Sequence, residues 1–221
     1  LKIKFVARDP HERARSYLDT ILDNGVDQIA IACAFCTGAG VELLRRHARR
    51  LKSNGSFVVV SWERPTDFEA LEELHAAAPG HLYVHFGGAR PEETQVGRPL
   101  MHTKLFYARR GRTCWLWTGS HNLTASATQG INDEAAILIE ADMGEETVAD
   151  AYDHLLACRN EAALFVPGMH GPPEPKAASQ ATLIIHAECS ASVASFPWHI
   201  QLRVRNESLD DVLAPPGQVR L

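Results

Sequence analysis

Apolar positions along this chain follow two alternating periods, and the switches between them outline the elements. Lys2 to Val6 reads as a short strand. Asp9, Pro10 and Glu12 supply the N-cap, the first-turn proline and the capping-box partner of a helix that ends at Asn24-Gly25. Asp27 to Phe35 is an apolar, β-branched run and predicts a buried strand. Val41, Leu44, Ala48 and Leu51 have helical spacing up to Asn54-Gly55, and Ser56 to Trp62 is a second buried strand. Thr66 and Glu69 form a capping box ahead of a helix to about Ala78, followed by a strand from His81 to Phe86.

Gly87 to Pro99 is a Gly- and Pro-rich loop. Leu100 to Ala108 and Thr113 to Thr118 predict a hairpin around Arg109-Arg110-Gly111-Arg112. Glu134 to Ile139 adds a strand, and Met143 to about Leu164 a long amphipathic helix. Strands alternating with helices predict an α/β sandwich whose hairpin makes the sheet mixed. Gly168 to Ser179 reads as a linker, and Ala181 to His186 and His199 to Val204 as strands with no helix between them. The expected organisation is a catalytic domain over residues 1–166, a linker over 167–179 and a β-rich segment over 180–221 that begins a second domain. The start at Leu1 and the end in mid-pattern at Leu221 read as a piece of a larger protein.

Composition narrows the partners. With 45% apolar residues the 221-residue chain can build a real core, and its net charge of −5 confines any nucleic-acid contact to a local basic patch. Five scattered cysteines fit a reduced, cytoplasmic protein. No run is long and apolar enough to span a membrane and no signal peptide is present, so no membrane partner is expected.

The chemistry concentrates in one stretch. His102 and Lys104, two apart on a predicted strand, point to the same face. The next strand ends in Gly119-Ser120-His121-Asn122, a turn rich in small groups and donors. An imidazole, a fixed cation, a hydroxyl and a carboxamide together suit a phosphodiester, whose cleavage needs a nucleophile, neutralised phosphoryl oxygens and a proton for the leaving oxygen. His102 serves as nucleophile, Lys104 holds the non-bridging oxygens, and Ser120 and Asn122 donate to the same oxygens. Glu134 is the candidate to orient the imidazole from its other nitrogen. Arg109 and Arg110, in the hairpin directly after His102, are candidate substrate contacts, with Arg112, Arg90 and Arg98 as further cations for a polyanion.

His102-Thr103-Lys104, Gly119-Ser120-His121-Asn122 and Glu134 resemble the signature of the phospholipase D superfamily. The context is similar too, with a strand ending in Phe35 ahead of a helix, and Gly55 ahead of an apolar strand. The resemblance covers roughly residues 1 to 165 and not the tail. It implies an α/β/α sandwich, catalysis that needs no metal or other cofactor, and paired motifs about a twofold axis with one histidine as nucleophile and the other as general acid. Two departures stand out. The family's acid five positions after the lysine is replaced by Arg109, and the chain holds a single His-x-Lys. The resemblance therefore implies a homodimer that sets two copies of His102 across one cleft. Single-motif members are commonly small nucleases, which favours nucleic acid over lipid, and DNA over RNA. It also brings a fused or associated helicase or DNA-recognition module into view as a partner. The competing readings are a phospholipid-hydrolysing enzyme, which the lack of an apolar interfacial helix disfavours, and a catalytically inactive nucleic-acid-binding or dimerisation module.

Other features have plainer readings. Cys33 and Cys36 are core thiols rather than half a zinc site, since no partner pair is visible. Arg45, Arg46, Arg49, Arg50 and Lys52 form a solvated helix face. Trp115 and Trp117 pack in the core, and His121 acts on its neighbours rather than on substrate.

Overall fold

Uninterrupted apolar runs belong in strands covered on both faces, and the two longest runs form the centre of the sheet. They are β2 (Gln28–Cys33) and β3 (Phe57–Ser61), buried at every position. A computed structural model of the chain describes residues 1–7, 14–86, 101–129, 131–171, 183–189 and 200–206. The expected helix start at Asp9, Pro10 and Glu12, the loop over 87–99 with Arg90 and Arg98, and most of the linker lie outside these residues.

The remaining elements of the first part are β1 (Lys2–Val6), α1 (Ala14–Asp23), α2 (Gly38–Arg46), α3 (Ala48–Leu51), α4 (Phe68–Ala77), β4 (Leu82–His85), β5 (Lys104–Arg110), β6 (Thr113–Gly119), α5 (Ala125–Thr128), β7 (Ala136–Asp142), α6 (Glu146–Asn160) and β8 (Ala163–Leu164). They form one mixed sheet in the order β1-β7-β6-β5-β2-β3-β4-β8. β2, β3 and β4 are parallel, while β5 returns antiparallel to β2 and starts a meander through β6 and β7 to β1. One face of the sheet packs on α1, α2 and α4 through Leu18, Leu44, Leu71, Phe106 and Trp117. The other packs on α6 through Leu105, Leu116, Val148 and Leu155. The result is an α/β/α sandwich around a mixed sheet, as the alternation of periods predicts.

Several local expectations change. The helix expected through Leu51 breaks at buried His47, whose φ of −107° and ψ of 15° leave the helical region. Asp67, not Thr66, caps α4. Its carboxylate accepts from Ala70 N at 3.0 Å, and Thr66 turns into the core. The helix expected to reach Leu164 stops at Asn160, and Ala163–Leu164 becomes an edge strand on β4. Short α5, capped by Thr124, has too few turns to leave a periodic pattern. Most important for the chemistry, His102 precedes β5, which starts at Lys104.

The chain divides into two compact units, Leu1–Pro172 and Pro173–Leu221. In the second unit β9 (Leu183–Cys189) and β10 (Ile200–Asn206) form an antiparallel hairpin, with Leu183 opposite Asn206 and Cys189 opposite Ile200.

Candidate active site

The topology brings four chain segments to one end of the sheet. The carboxyl ends of β2 and β6 and the amino ends of β5 and β7 meet there, because β5 and β7 run opposite to their neighbours. Backbone bonds on either side hold His102 in place although it is outside the strand. Ser61 Oγ, fully buried, donates to the carbonyl of Met101 at 2.6 Å, and Ala34 N donates to the carbonyl of Thr103 at 2.9 Å. The His102 ring stands edge-on to Phe35, with centroids 6.1 Å apart at 75°.

Lys104 reaches back to that ring. Its Nζ lies 3.0 Å from Nδ1 and 3.2 Å from Nε2 of His102, and donates to the His102 carbonyl at 3.1 Å. None of these partners is a carboxylate. The side chain is only 9% exposed, and burial lowers its pKa below the usual lysine range, opposed by the field of Cys33 and then of Glu134. A cation in this state is poorly solvated and has no ion-pair partner among the described residues, so its charge is available to an incoming anion.

The turn after β6 is fastened from both sides. Gly119 is paired with Ala136, and a Cβ there would lie 2.1 Å from the carbonyl oxygen of Ala135, so only glycine permits this approach of β6 to β7. Gly40 plays the same part for α2, since a Cβ would lie 2.3 Å from the carbonyl oxygen of Leu123. Asn122 Oδ1 accepts from Phe35 N at 3.2 Å, with the Cys33 thiol at 3.7 Å. That bond faces the carboxamide oxygen inward and leaves its NH2 group to donate elsewhere. Cys33 lies beneath, opposite Lys104 in the β2–β5 register, and receives the Leu123 N–H at 3.2 Å. Burial pushes its thiol pKa up to about 11, against the lowering effect of the Leu123 and Phe35 backbone and of Lys104. It stays a neutral thiol there.

Ser120, expected to donate to phosphate, and Glu134, expected to orient His102, make other bonds in this structure. The Ser120 hydroxyl accepts from Ala135 N at 3.0 Å and contacts the Ala135 carbonyl at 3.3 Å, so its polar capacity is committed to closing the β6–β7 turn. Glu134 accepts from Asn132 Nδ2 at 3.2 Å rather than from His102, and its charge acts on Lys104 and His121. His121 is buried edge-on to Trp117, with centroids 5.2 Å apart at 67°. Burial lowers its pKa, with Glu134 opposing, and its Nδ1 has no hydrogen-bond partner among the described residues.

Arg109 and Arg110, expected as substrate contacts, do not join this cluster. They lie at the far end of β5, roughly 20 Å from Lys104 at the rise of an extended strand. Arg109 Nε binds Asp27 at 3.3 Å, and Arg110 donates to the Asn24 carbonyl at 2.9 Å and covers the Trp115 ring. Arg112 is paired with Asp142. Three cations of the basic helix face are also paired, Arg45 with Glu73, Arg46 with Asp19 and Arg50 with Asp23. Ser61 and Cys33 are the site residues that sequence reasoning did not assign. Their signal was only a polar group at the carboxyl end of an apolar strand.

No family model and no curated protein matches the sequence. Solved structures do match. Nuc from Salmonella typhimurium, a phospholipase D family member, superposes with a TM-score of 0.51 at 17% identity, covering 74% of this chain and 97% of that one. NucT from Helicobacter pylori gives 0.52 at 16% identity, covering 74% and 99%. This chain has the phospholipase D superfamily fold. In that fold His102, Lys104, Asn122 and Glu134 sit together at one end of the sheet, and the opposite end carries the hairpin arginines.

Proposed function

We propose that this chain is a metal-independent phosphodiesterase, an endonuclease that cuts DNA (RNA being the second choice) through a phosphohistidine, in a site shared by two copies of the chain. The observation that carries the proposal is Lys104, a buried ammonium without a carboxylate partner among the described residues, 3.0 Å from the His102 ring and opposite Cys33, whose thiol lies 3.7 Å from the Asn122 carboxamide oxygen. A ring nitrogen of His102 attacks phosphorus while the bond to the leaving oxygen breaks, and that oxygen takes a proton from His102 of the second copy. Water then attacks the phosphohistidine, giving its proton to the second imidazole as the phosphorus–nitrogen bond breaks. Lys104 and the Asn122 amide stabilise charge on the non-bridging oxygens through both steps. Glu134 supports the site through its field on Lys104.

The two imidazoles need opposite protonation states at the start of each step, so the rate against pH is a bell between two apparent pKa values. The test is to incubate the full chain with single- and double-stranded DNA, RNA and phosphatidylcholine in excess EDTA, beside His102→Ala. Nucleic-acid cleavage that survives EDTA and disappears in the variant supports the reading. A requirement for added magnesium removes the metal-free mechanism, and lipid turnover alone replaces the nuclease with a phospholipase. Equal activity of wild type and variant leaves only a binding or dimerisation module.

A further inference from the structure

A line of rings leads away from the site across the end of the sheet. Ala34 N donates to the Thr103 carbonyl at 2.9 Å, Ser61 N to the Ala34 carbonyl at 3.2 Å, and Ser61 is paired with His85. One residue further out on each segment stand His102, Phe35, Trp62 and Phe86, in that order across β5, β2, β3 and β4. Strand alternation puts the four on one face. Cys33, Val60 and Val84, two residues before Phe35, Trp62 and Phe86, belong to the core beneath α1, α2 and α4, as does Phe106, four residues after His102. Rings meet at both ends of the line, His102 with Phe35 as above, and Trp62 with Phe86 at 5.6 Å between centroids and 49° between planes.

Full burial stops at this line. Cys33, Val60 and Val84 are buried completely, whereas Phe35, Trp62 and Phe86 are half-buried. Trp62 is also held by its edge, since its indole N–H donates to the His170 carbonyl at 2.9 Å. A ring fixed by a hydrogen bond and an aromatic neighbour has little rotamer freedom left to lose when a ligand stacks on it. With strands about 4.8 Å apart, Trp62 stands roughly 10 Å and Phe86 roughly 14 Å from His102 along the line. A nucleic-acid strand covers at least about 3.4 Å per nucleotide, so a strand with one phosphate on Lys104 brings bases to both rings within about four nucleotides. Bases in a duplex stack on one another and show the protein only their edges. An unpaired base offers its π face.

We propose that Trp62 and Phe86 form a stacking platform for unpaired bases beside the scissile phosphate, which makes single-stranded nucleic acid the preferred substrate. The proposal rests on the phosphodiesterase reading above and adds the residues that choose between single strand and duplex. Lys104 meets a phosphate that is the same in both, while the ring pair meets only bases that are free to leave their stack. Stacking accepts every base, so the choice is of strandedness and not of sequence. The competing occupant is the acyl chain of a phospholipid. An acyl chain gains from any apolar side chain at position 62, whereas a base gains from a planar π face.

The experiment compares the full chain with Trp62→Leu, Phe86→Leu and Trp62→Phe. Leucine keeps an apolar side chain against the core without a π face, and melting temperatures report folding. kcat/KM is measured on a single-stranded oligodeoxynucleotide, on its duplex and on a strand of equal length that carries no bases. Anisotropy of a labelled oligonucleotide reads binding separately. Stacking contributes about 10- to 100-fold per base, so the wild type should prefer the base-bearing single strand to the other two by that factor, mainly through KM. Trp62→Leu should lose most of this preference, Phe86→Leu part of it, and Trp62→Phe little. Should Trp62→Leu fail to fold, Phe86→Leu carries the same comparison. A wild type that cuts all three substrates equally, or a Trp62→Leu that keeps the preference, overturns the platform and leaves the nuclease reading intact. An equal loss on all three substrates makes Trp62 a core residue and also overturns it. A wild type that cuts no nucleic acid but binds single strand above duplex, with the difference lost in Trp62→Leu, upholds the platform and removes the nuclease. Turnover of phosphatidylcholine vesicles alone, retained by Trp62→Leu, puts an acyl chain on the rings and overturns both.

Discussion

The two ends of β5 carry the same charge and put it to opposite uses. At the hairpin end Arg109, Arg110 and Arg112 are half-exposed or exposed, and each is occupied by a carboxylate or a backbone carbonyl. At the other end Lys104 is buried, depressed in pKa by that burial, and its hydrogen-bond partners among the described residues are the ring and the backbone carbonyl of His102. An exposed ion pair is worth little and is already satisfied. A buried cation without a partner lowers stability in the empty protein and offers its charge to a ligand. The site is thus recognised less by the presence of positive charge than by a buried cation that no carboxylate contacts directly among the described residues.

Replacing each cation in turn breaks or upholds this contrast. Lys104→Ala should cut the cleavage rate by about 10³-fold, the size of loss expected when a group that stabilises developing charge is removed. Arg109→Ala should leave the rate within about twofold and cost about 0–1 kcal/mol of stability. Comparable rate losses in the two variants would mean that the hairpin end also meets substrate. A smaller effect tests the frame around Lys104. Asn122→Ala leaves the Phe35 amide without its acceptor, so it should cost about 1–3 kcal/mol in denaturant unfolding as well as activity. Full activity with unchanged stability would show that the carboxamide is neither anchor nor donor.

The smallest expected effect is a pH dependence of stability. The folded-state pKa of Lys104 lies below its ordinary value of 10.5, so between the two values the unfolded chain binds more protons. Stability from this group therefore rises with pH through that window, and the charged form is the destabilising one below it. Lys104→Met should melt above wild type near neutral pH, and the gap should narrow as the pH is raised towards 10.5. A gap that does not change with pH would mean that burial of the charge is not what separates the two proteins.

Much of the fold was legible because its signals are local. Uninterrupted apolar runs mark β2 and β3, helical spacing marks α4, and Gly25, Gly55 and Gly111, all at positive φ, mark the turns. The failures have equally local reasons. Ala163–Leu164 is too short for any pattern, Thr66 and Asp67 compete for one capping position, and His47 breaks a helix only through its buried surroundings. At the site, His102, Lys104 and Asn122 were legible as residue types at a spacing. The commitment of Ser120 to Ala135, the bond from Glu134 to Asn132 and the buried support from Ser61 and Cys33 were not.

By itself the sequence determined which residues form each element and which chemical groups the turn regions carry, because both depend on neighbours a few positions apart. Only the tertiary structure decided which of those groups meet. The reversal of β5 and β7 collects His102, Lys104, Asn122 and Glu134 at one end of the sheet and sends Arg109 and Arg110 to the other. Six residues apart along the chain is one turn of a loop or a full strand length, and pairing with β2 makes it the latter.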